Sequence, residues 1–232
     1  EIRKHLKKKL DAYRYEHTLG VEFTCQALAM RYGYDLDKAD LAGLLHDSAK
    51  RFENPVMLQK CLDRGIPVTA EEERDPSLLH AKLGAWMAEN KYGVDDPEIL
   101  SAITCHTTGK PGMSLLDKIL YVADYIEPRR SKAANLPEMR KLAFIDLDQA
   151  CFEIMESILE YLKSTGCQID PMTEAACQDM RRAVSEKQKE TAGAAGETDQ
   201  DKEEQSVESV KRNGKTRSRS AGREKGRRYK NY

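Results

Sequence analysis

The sequence is poor in the features that would point to a membrane, a secretory route or a β-rich fold. No stretch approaches the roughly 20 apolar residues that a bilayer span needs, and no apolar h-region stands near the start, so no secretory signal is expected. The six cysteines, Cys25, Cys61, Cys105, Cys151, Cys167 and Cys177, are scattered without a C-x-x-C pair. That spacing argues against a zinc knuckle and against a disulfide framework. They are expected to be reduced, mostly packing residues in a cytoplasmic protein. Alternating β patterns and Asn-Gly hairpin signals are missing over residues 1–184. Histidine is scarce too, with five in 232 residues, so the place of each one carries information.

What is present is a soluble globular composition, 40% hydrophobic and 33% charged with a formal net charge of -1. The length suits one substantial domain and a tail. Residues 1 to about 184 read as helix after helix. AYRYEHTLGVEFTCQALAMRYG carries apolar or small residues at three-to-four spacing and stops at Gly33. DLDKADLAGLLHDSAK forms a second long helix. Asp75-Pro76 and Asp96-Pro97 open two more, with proline in the first turn where it removes no needed bond. Ser114 and Asp117 make a capping-box-like pair before LLDKILYVADYI. Ile154, Ile158 and Leu162 form one stripe of a further helix, and Asp170-Pro171 opens a last short one reaching about Val184. The predicted fold class is all-α.

From residue 185 apolar residues nearly vanish. Residues 197–208 carry six acids against one lysine, and residues 209–232 carry ten Lys/Arg against one glutamate. Such a segment cannot bury enough apolar surface to offset its ordering entropy, so 185–232 is expected to be a disordered, acidic-then-basic tail. Its basic end suits weak contact with RNA or another polyanion. Two tyrosines, Tyr229 and Tyr232, are too few to argue for base stacking.

The stretch LAGLLHDSAK at 41–50 sets His46 and Asp47 side by side. On a helix, Gly43, His46, Asp47 and Lys50 share a face. Gly43 costs helix stability by roughly 1 kcal/mol, which makes sense if something must approach the backbone there. Imidazole and carboxylate together suit borderline divalent metals, although a lone His-Asp dipeptide reads first as a solvated helix edge. The remaining histidines change that reading. His17, His46, His80 and His106 fall on separate helices or at a helix end, with Arg14 three residues before His17 and Gly84 four after His80. Asp124 sits in the apolar run ILYVADYI with no local partner, so it is expected to meet a cation. Helical metal sites are built from several helices that each present an inward ligand.

The order His17, His46-Asp47, His80, His106, Asp124 resembles the HD-domain superfamily of metal-dependent phosphohydrolases. RYEHTLGV, LLHDSAK, LLHAKLGA and ITCHTTGKPGMSLLDKILYVADYIEPRR are similar in more detail to the bacterial YqeK family of symmetrical bis(5′-nucleosyl)-tetraphosphatases. That resemblance implies an HD-domain helical bundle over 1–184 and hydrolysis of diadenosine tetraphosphate to two ADP. It implies a metal held by His17, His46, Asp47 and Asp124, with iron favoured over manganese or zinc. Asp47 is also a candidate for positioning the attacking water. His80 and His106 are expected to contact phosphate, a second metal being the alternative.

Cations must surround a polyphosphate, and guanidinium forks match phosphate oxygens. Arg14, Lys50, Arg129 and Arg130 flank the ligand positions and are expected to clamp it, with Glu127 ordering Arg129 or touching a base. His5 reads as a surface residue, and Trp86, Tyr13 and Tyr15 as packing residues. Two rival functions remain, an HD-type nucleotidase or nucleoside-triphosphate hydrolase and a nucleic-acid-associated protein using the basic tail. A homodimer is left open.

Overall fold

Short acidic and hydroxyl side chains start most of the helices. Asp11, Asp35, Asp96 and Asp146 each accept a backbone N–H in the first turn that follows them, and Thr69 and Ser114 complete reciprocal capping boxes with Glu72 and Asp117. These caps satisfy N–H groups that the first helical turn leaves without a partner. Gly33 and Gly93 end their helices in the left-handed region, at φ 67° and 73°, where a residue lacking Cβ is unstrained. The computed structural model describes residues 1–191 and contains no β-strand among them. Expectations for the tail from 192 onward lie outside the described residues.

In chain order the helices are α1 (Ile2–Lys9), α2 (Ala12–Tyr32), α3 (Leu36–Leu45), α4 (Asn54–Leu62), α5 (Ala70–Arg74), a 3₁₀ turn (Pro76–Leu78), α6 (Leu79–Tyr92), α7 (Pro97–Cys105), α8 (Leu115–Ile126), α9 (Leu136–Leu142) and α10 (Leu147–Ser164). A last helix, α11, covers 171–191. It runs past the expected end near Val184, on residues such as Glu186, Lys187 and Gln188 that favour helix without needing burial. Val184 is its last buried side chain. Helices α1, α4, α5 and α9 are too short to show a clear period and were not legible as separate elements. Glu1–Ser185 pack as one unit.

The main core gathers around α8, whose Leu116, Ile119, Leu120, Val122 and Ala123 are fully buried and which packs on α2, α7 and α10. Each such leucine or isoleucine contributes about 1.5–3 kcal/mol through burial. A smaller apolar cluster joins α4 to α6 through Met57, Cys61, Leu79, Leu83 and Met87, with Trp86 and Phe52 against it. Five of the six cysteines are buried and all are free.

Two glycines permit this packing. A Cβ on Gly43 would lie 2.8 Å from the Glu22 backbone, so α2 and α3 touch directly there. The expected close approach at Gly43 is therefore a neighbouring helix. A Cβ on Gly84 would crowd the His46 carbonyl at 3.2 Å, which ties α6 to the end of α3.

One expectation needs correction. The helix DLDKADLAGLLHDSAK ends at Leu45, and residues 46–51 form consecutive turns. The reason is local. His46 Nδ1 lies 2.7 Å from the Gly43 carbonyl, the acceptor that the Asp47 N–H would use in a continuing helix. His46, Asp47 and Lys50 thus leave the helix together.

Candidate metal centre and cleft

The ligand-type residues sit at helix ends. His17 comes from the second turn of α2, His46 and Asp47 from the turn after α3, His80 from the start of α6, His106 from the C-cap of α7, and Asp124 from the last turn of α8. All but Asp124 are less than 5% exposed, and the Asp124 side chain is 20% exposed.

Three of the four imidazoles follow one rule. His46 Nδ1 contacts the Gly43 carbonyl at 2.7 Å, His80 Nδ1 that of Ser77 at 2.6 Å, and His106 Nδ1 that of Ile103 at 2.7 Å. A carbonyl only accepts, so each Nδ1 carries the proton and donates. Each Nε2 of a neutral ring is then left as a bare lone pair. His17 Nδ1 faces the Glu127 carboxylate at 3.1 Å instead. A Cβ on Gly20 would lie 2.5 Å from that carboxylate, so the glycine makes the room Glu127 needs.

The four Nε2 atoms converge on Asp47. Its Oδ2 is 3.5 Å from His46 Nε2 and 3.8 Å from His17 Nε2, and its Oδ1 is 3.5 Å from His80 Nε2 and 3.8 Å from His106 Nε2. Asp124 Oδ1 lies 3.1 Å from His17 Nε2, and the His80 and His106 Nε2 atoms are 3.1 Å apart. Among the described residues, His17 Nε2 and His46 Nε2 are buried without a hydrogen-bond partner. Lone pairs facing one another and facing carboxylate oxygens, away from water, are repulsive unless positive charge sits between them.

The electrostatics also favour positive charge within the cluster. Burial would lower the His17 pKa, yet Asp124 and Glu127 raise it above its ordinary value. Burial would raise Asp47, yet His46 and His106 beside it hold it well below the usual carboxylate range. Asp124 is likewise lowered against its burial, by His17 and Arg130. Burial pushes His80 down to about 3, which keeps it a neutral donor. Three overlapping groups have ligand atoms within 4.8 Å of one another: His17, His46 and Asp47; His46, His106 and Asp124; Asp47, His80 and His106. Mixed imidazole and carboxylate donors of this kind fit a divalent transition metal.

The expected cations divide. Arg14 Nη1 meets Asp47 Oδ2 at 2.6 Å, and Arg130 Nη2 meets Asp124 Oδ1 at 2.7 Å. Lys50 is half-buried, and its pKa is lowered by burial against the pull of Asp47. The Arg129 guanidinium turns away to Glu16 at 2.8 Å. Glu127 is buried behind His17, and its Oε2 accepts the Arg129 backbone N–H at 2.7 Å. His5 is exposed, Trp86 packs in the smaller apolar cluster and Tyr15 against the main core, whereas Tyr13, expected to pack, is 63% exposed.

A cavity of about 620 Å³ opens beside the cluster, reached through His106, Asp124 and Arg130. Ile154, Ile158 and Leu162 of α10 form its apolar wall, with Tyr121 and Tyr125 from α8. Thr107 also lines it, its hydroxyl 3.1 Å from His80 Nε2. Sequence reading missed Thr107, whose signal was its place beside His106 in CHTTG, and the α10 wall, which read only as one stripe of a helix.

Residues 14–129 match the HD domain. The chain belongs to the HD-domain family. It is 40% identical over 168 residues to the symmetrical bis(5′-nucleosyl)-tetraphosphatase of Bacillus subtilis, covering 72% of this chain and 89% of that protein. The protein of the same description in Staphylococcus aureus is 34% identical over 160 residues, covering 67% and 80%. Among solved structures, one from Clostridium acetobutylicum, described as a predicted HD superfamily hydrolase involved in NAD metabolism, superposes with a TM-score of 0.76 at 37% identity. It matches over 78% of this HD-domain chain and 96% of its own.

Proposed function

We propose that this HD-domain protein is a metal-dependent hydrolase that splits dinucleoside tetraphosphates symmetrically, diadenosine tetraphosphate giving two ADP. The observation that carries the reading is the convergence of four imidazole Nε2 atoms on the two oxygens of Asp47, beside a cleft large enough for a nucleotide. The relatives that carry this activity by name supply the substrate class.

We assign His17, His46, Asp47 and Asp124 to holding the cation, with iron first and manganese or zinc as the alternatives the donor set admits. His80 and His106 join them as holders of a second ion rather than as phosphate contacts. A phosphate contact needs an N–H at Nε2, and the carbonyls behind these rings keep the proton at Nδ1. When bound, a divalent cation supplies Lewis acidity at a phosphoryl oxygen and lowers the pKa of water.

The chain's own groups do the rest. Asp47 spans both halves of the cluster and fixes their separation. Arg14 steadies Asp47 and adds positive charge next to the reacting phosphorus. Arg130, held by Asp124 at the cleft edge, takes phosphate oxygens on one flank, and Lys50 the other. Arg129 orders the end of α8 through Glu16, and Glu127 positions His17. Ile158 and Tyr125 offer an apolar bed for a nucleobase.

Chromatography of the products decides among the rivals. ADP alone supports the reading, AMP plus ATP means asymmetric cleavage, and free phosphate from simple nucleotides means a nucleotidase. We place the catalytic domain at 1–184 and give the tail an accessory role in a cytoplasmic protein. A chain ending after residue 191 is expected to keep its turnover. If the tail contacts RNA, that binding disappears on truncation and fades steeply with salt in the full chain.

A further inference from the structure

A second cavity, of about 410 Å³, lies between α1, the turn after α3 and the end of α6, and shares no lining residue with the cleft. Its walls carry His5, Lys9, Arg51, Lys91 and Tyr92, with Glu1 as the acid among them. Arg51 Nε and Nη1 and the Tyr92 hydroxyl are buried and have no hydrogen-bond partner among the described residues. A buried donor without a partner is costly, and native structures rarely leave one. Here two belong to a guanidinium. Its Cζ lies over the Phe52 ring, 4.7 Å from the centroid, a contact that leaves these N–H groups unpaired.

The neighbourhood is also over-supplied with positive charge. The pKa values of His5 and Lys91 are both lowered, by burial first and then by the charge of Arg51. Lys9 adds to the effect on His5. An anion in the cavity would satisfy the orphaned donors and relieve this repulsion together. A guanidinium fork flanked by two ammonium groups matches an anion carrying more than one charge and several acceptor oxygens, which is phosphate chemistry rather than a single carboxylate.

We propose that this cavity is a binding site for a small phosphorylated anion, distinct from the His/Asp cluster. The unpaired nitrogens lie beneath the surface, where a compact anion with free oxygens reaches them more easily than a phosphodiester linked on both sides. Arg51 stands four residues after Asp47 in the same run of turns, so an occupant here grips the segment that carries the centre.

The test is calorimetric titration of inorganic pyrophosphate into the full chain in the Asp47→Ala background, which removes metal-mediated binding at the cluster, while the substitutions below separate this cavity from the cations of the cleft. A binding event is expected to remain. Arg51→Gln is expected to weaken it at least tenfold, and so is the pair Lys9→Gln/Lys91→Gln. That pair is exposed and serves even if Arg51→Gln disturbs folding. Lys4→Gln/Lys7→Gln removes two exposed charges of α1 outside the cavity and is expected to change affinity less than twofold. The proposal is overturned if Asp47→Ala abolishes pyrophosphate binding, if the Lys9/Lys91 pair leaves it unchanged, or if the Lys4/Lys7 pair weakens it as much.

Discussion

His17 differs from the other three histidines of the centre in how its ring is held. His46, His80 and His106 each donate to a carbonyl three residues earlier in the chain, so their orientation is written into the local backbone. His17 depends on Glu127, 110 residues away at the end of another helix. A carbonyl fixes the tautomer, whereas a carboxylate also makes the ring a stronger base and ligand. No side-chain substitution removes the three local bonds, but one removes the fourth. Three of the four rings are thus robust by construction, and the fourth is adjustable.

The largest expected effect does not depend on this division. Asp47 faces all four rings, so Asp47→Ala should abolish bound metal and lower turnover by on the order of 10³-fold or more, with helical content by circular dichroism nearly intact. His46→Ala should behave similarly. Full metal occupancy in either variant would remove the basis of the assignment.

Glu127 tests the division itself. Glu127→Ala should cost about 10–100-fold in metal affinity or activity, and Glu127→Gln should recover part of it, because an amide oxygen still accepts from His17 Nδ1. Metal affinity unchanged in Glu127→Ala would mean that His17 is held as firmly as the other three without its carboxylate. Arg130→Ala should act more narrowly. It is expected to raise KM roughly tenfold for a lost charged contact and to leave bound metal in place, since Asp124 keeps His17.

Much of this arrangement was legible in sequence because it depends on residue type and order. His17, the His46-Asp47 pair, His80, His106 and Asp124 stand out as rare or misplaced groups on an apolar background, and Gly43 announced a close approach. What was hidden depends on geometry. The break in the helix after Leu45 arises from one side chain taking the acceptor of the next turn, which no periodicity reveals. Arg129 looked equivalent to Arg130, yet Glu16 is placed to capture it and Asp124 to capture its neighbour. Thr107 and the α10 wall become part of the cleft only once α10 has packed beside α8.

A second buried glutamate sharpens the comparison at the small end of the scale. Both oxygens of Glu127 are paired, whereas Glu22 of α2 uses one oxygen for Arg3, with Arg3 Nε at 2.8 Å, and its Oε2 is buried without a partner. Burial is the largest influence on Glu22, working against Arg3 and aided by Asp40, and pushes its pKa up to about 7 from 4.5. The folded protein therefore keeps a proton that the unfolded chain gives up. The stability Glu22 contributes is fully present below about pH 4.5 and is lost as pH rises through about 7. Glu22→Gln fixes the neutral form, so it should flatten this part of the stability profile and be more stable than the parent near pH 8, by on the order of 2 kcal/mol. Turnover should be little changed, because Glu22 touches neither the cluster nor the cleft. Denaturant melts at pH 5 and pH 8 read the effect. Parallel losses in both proteins would show that Glu22 ionises at its ordinary pKa and that Arg3 alone satisfies it.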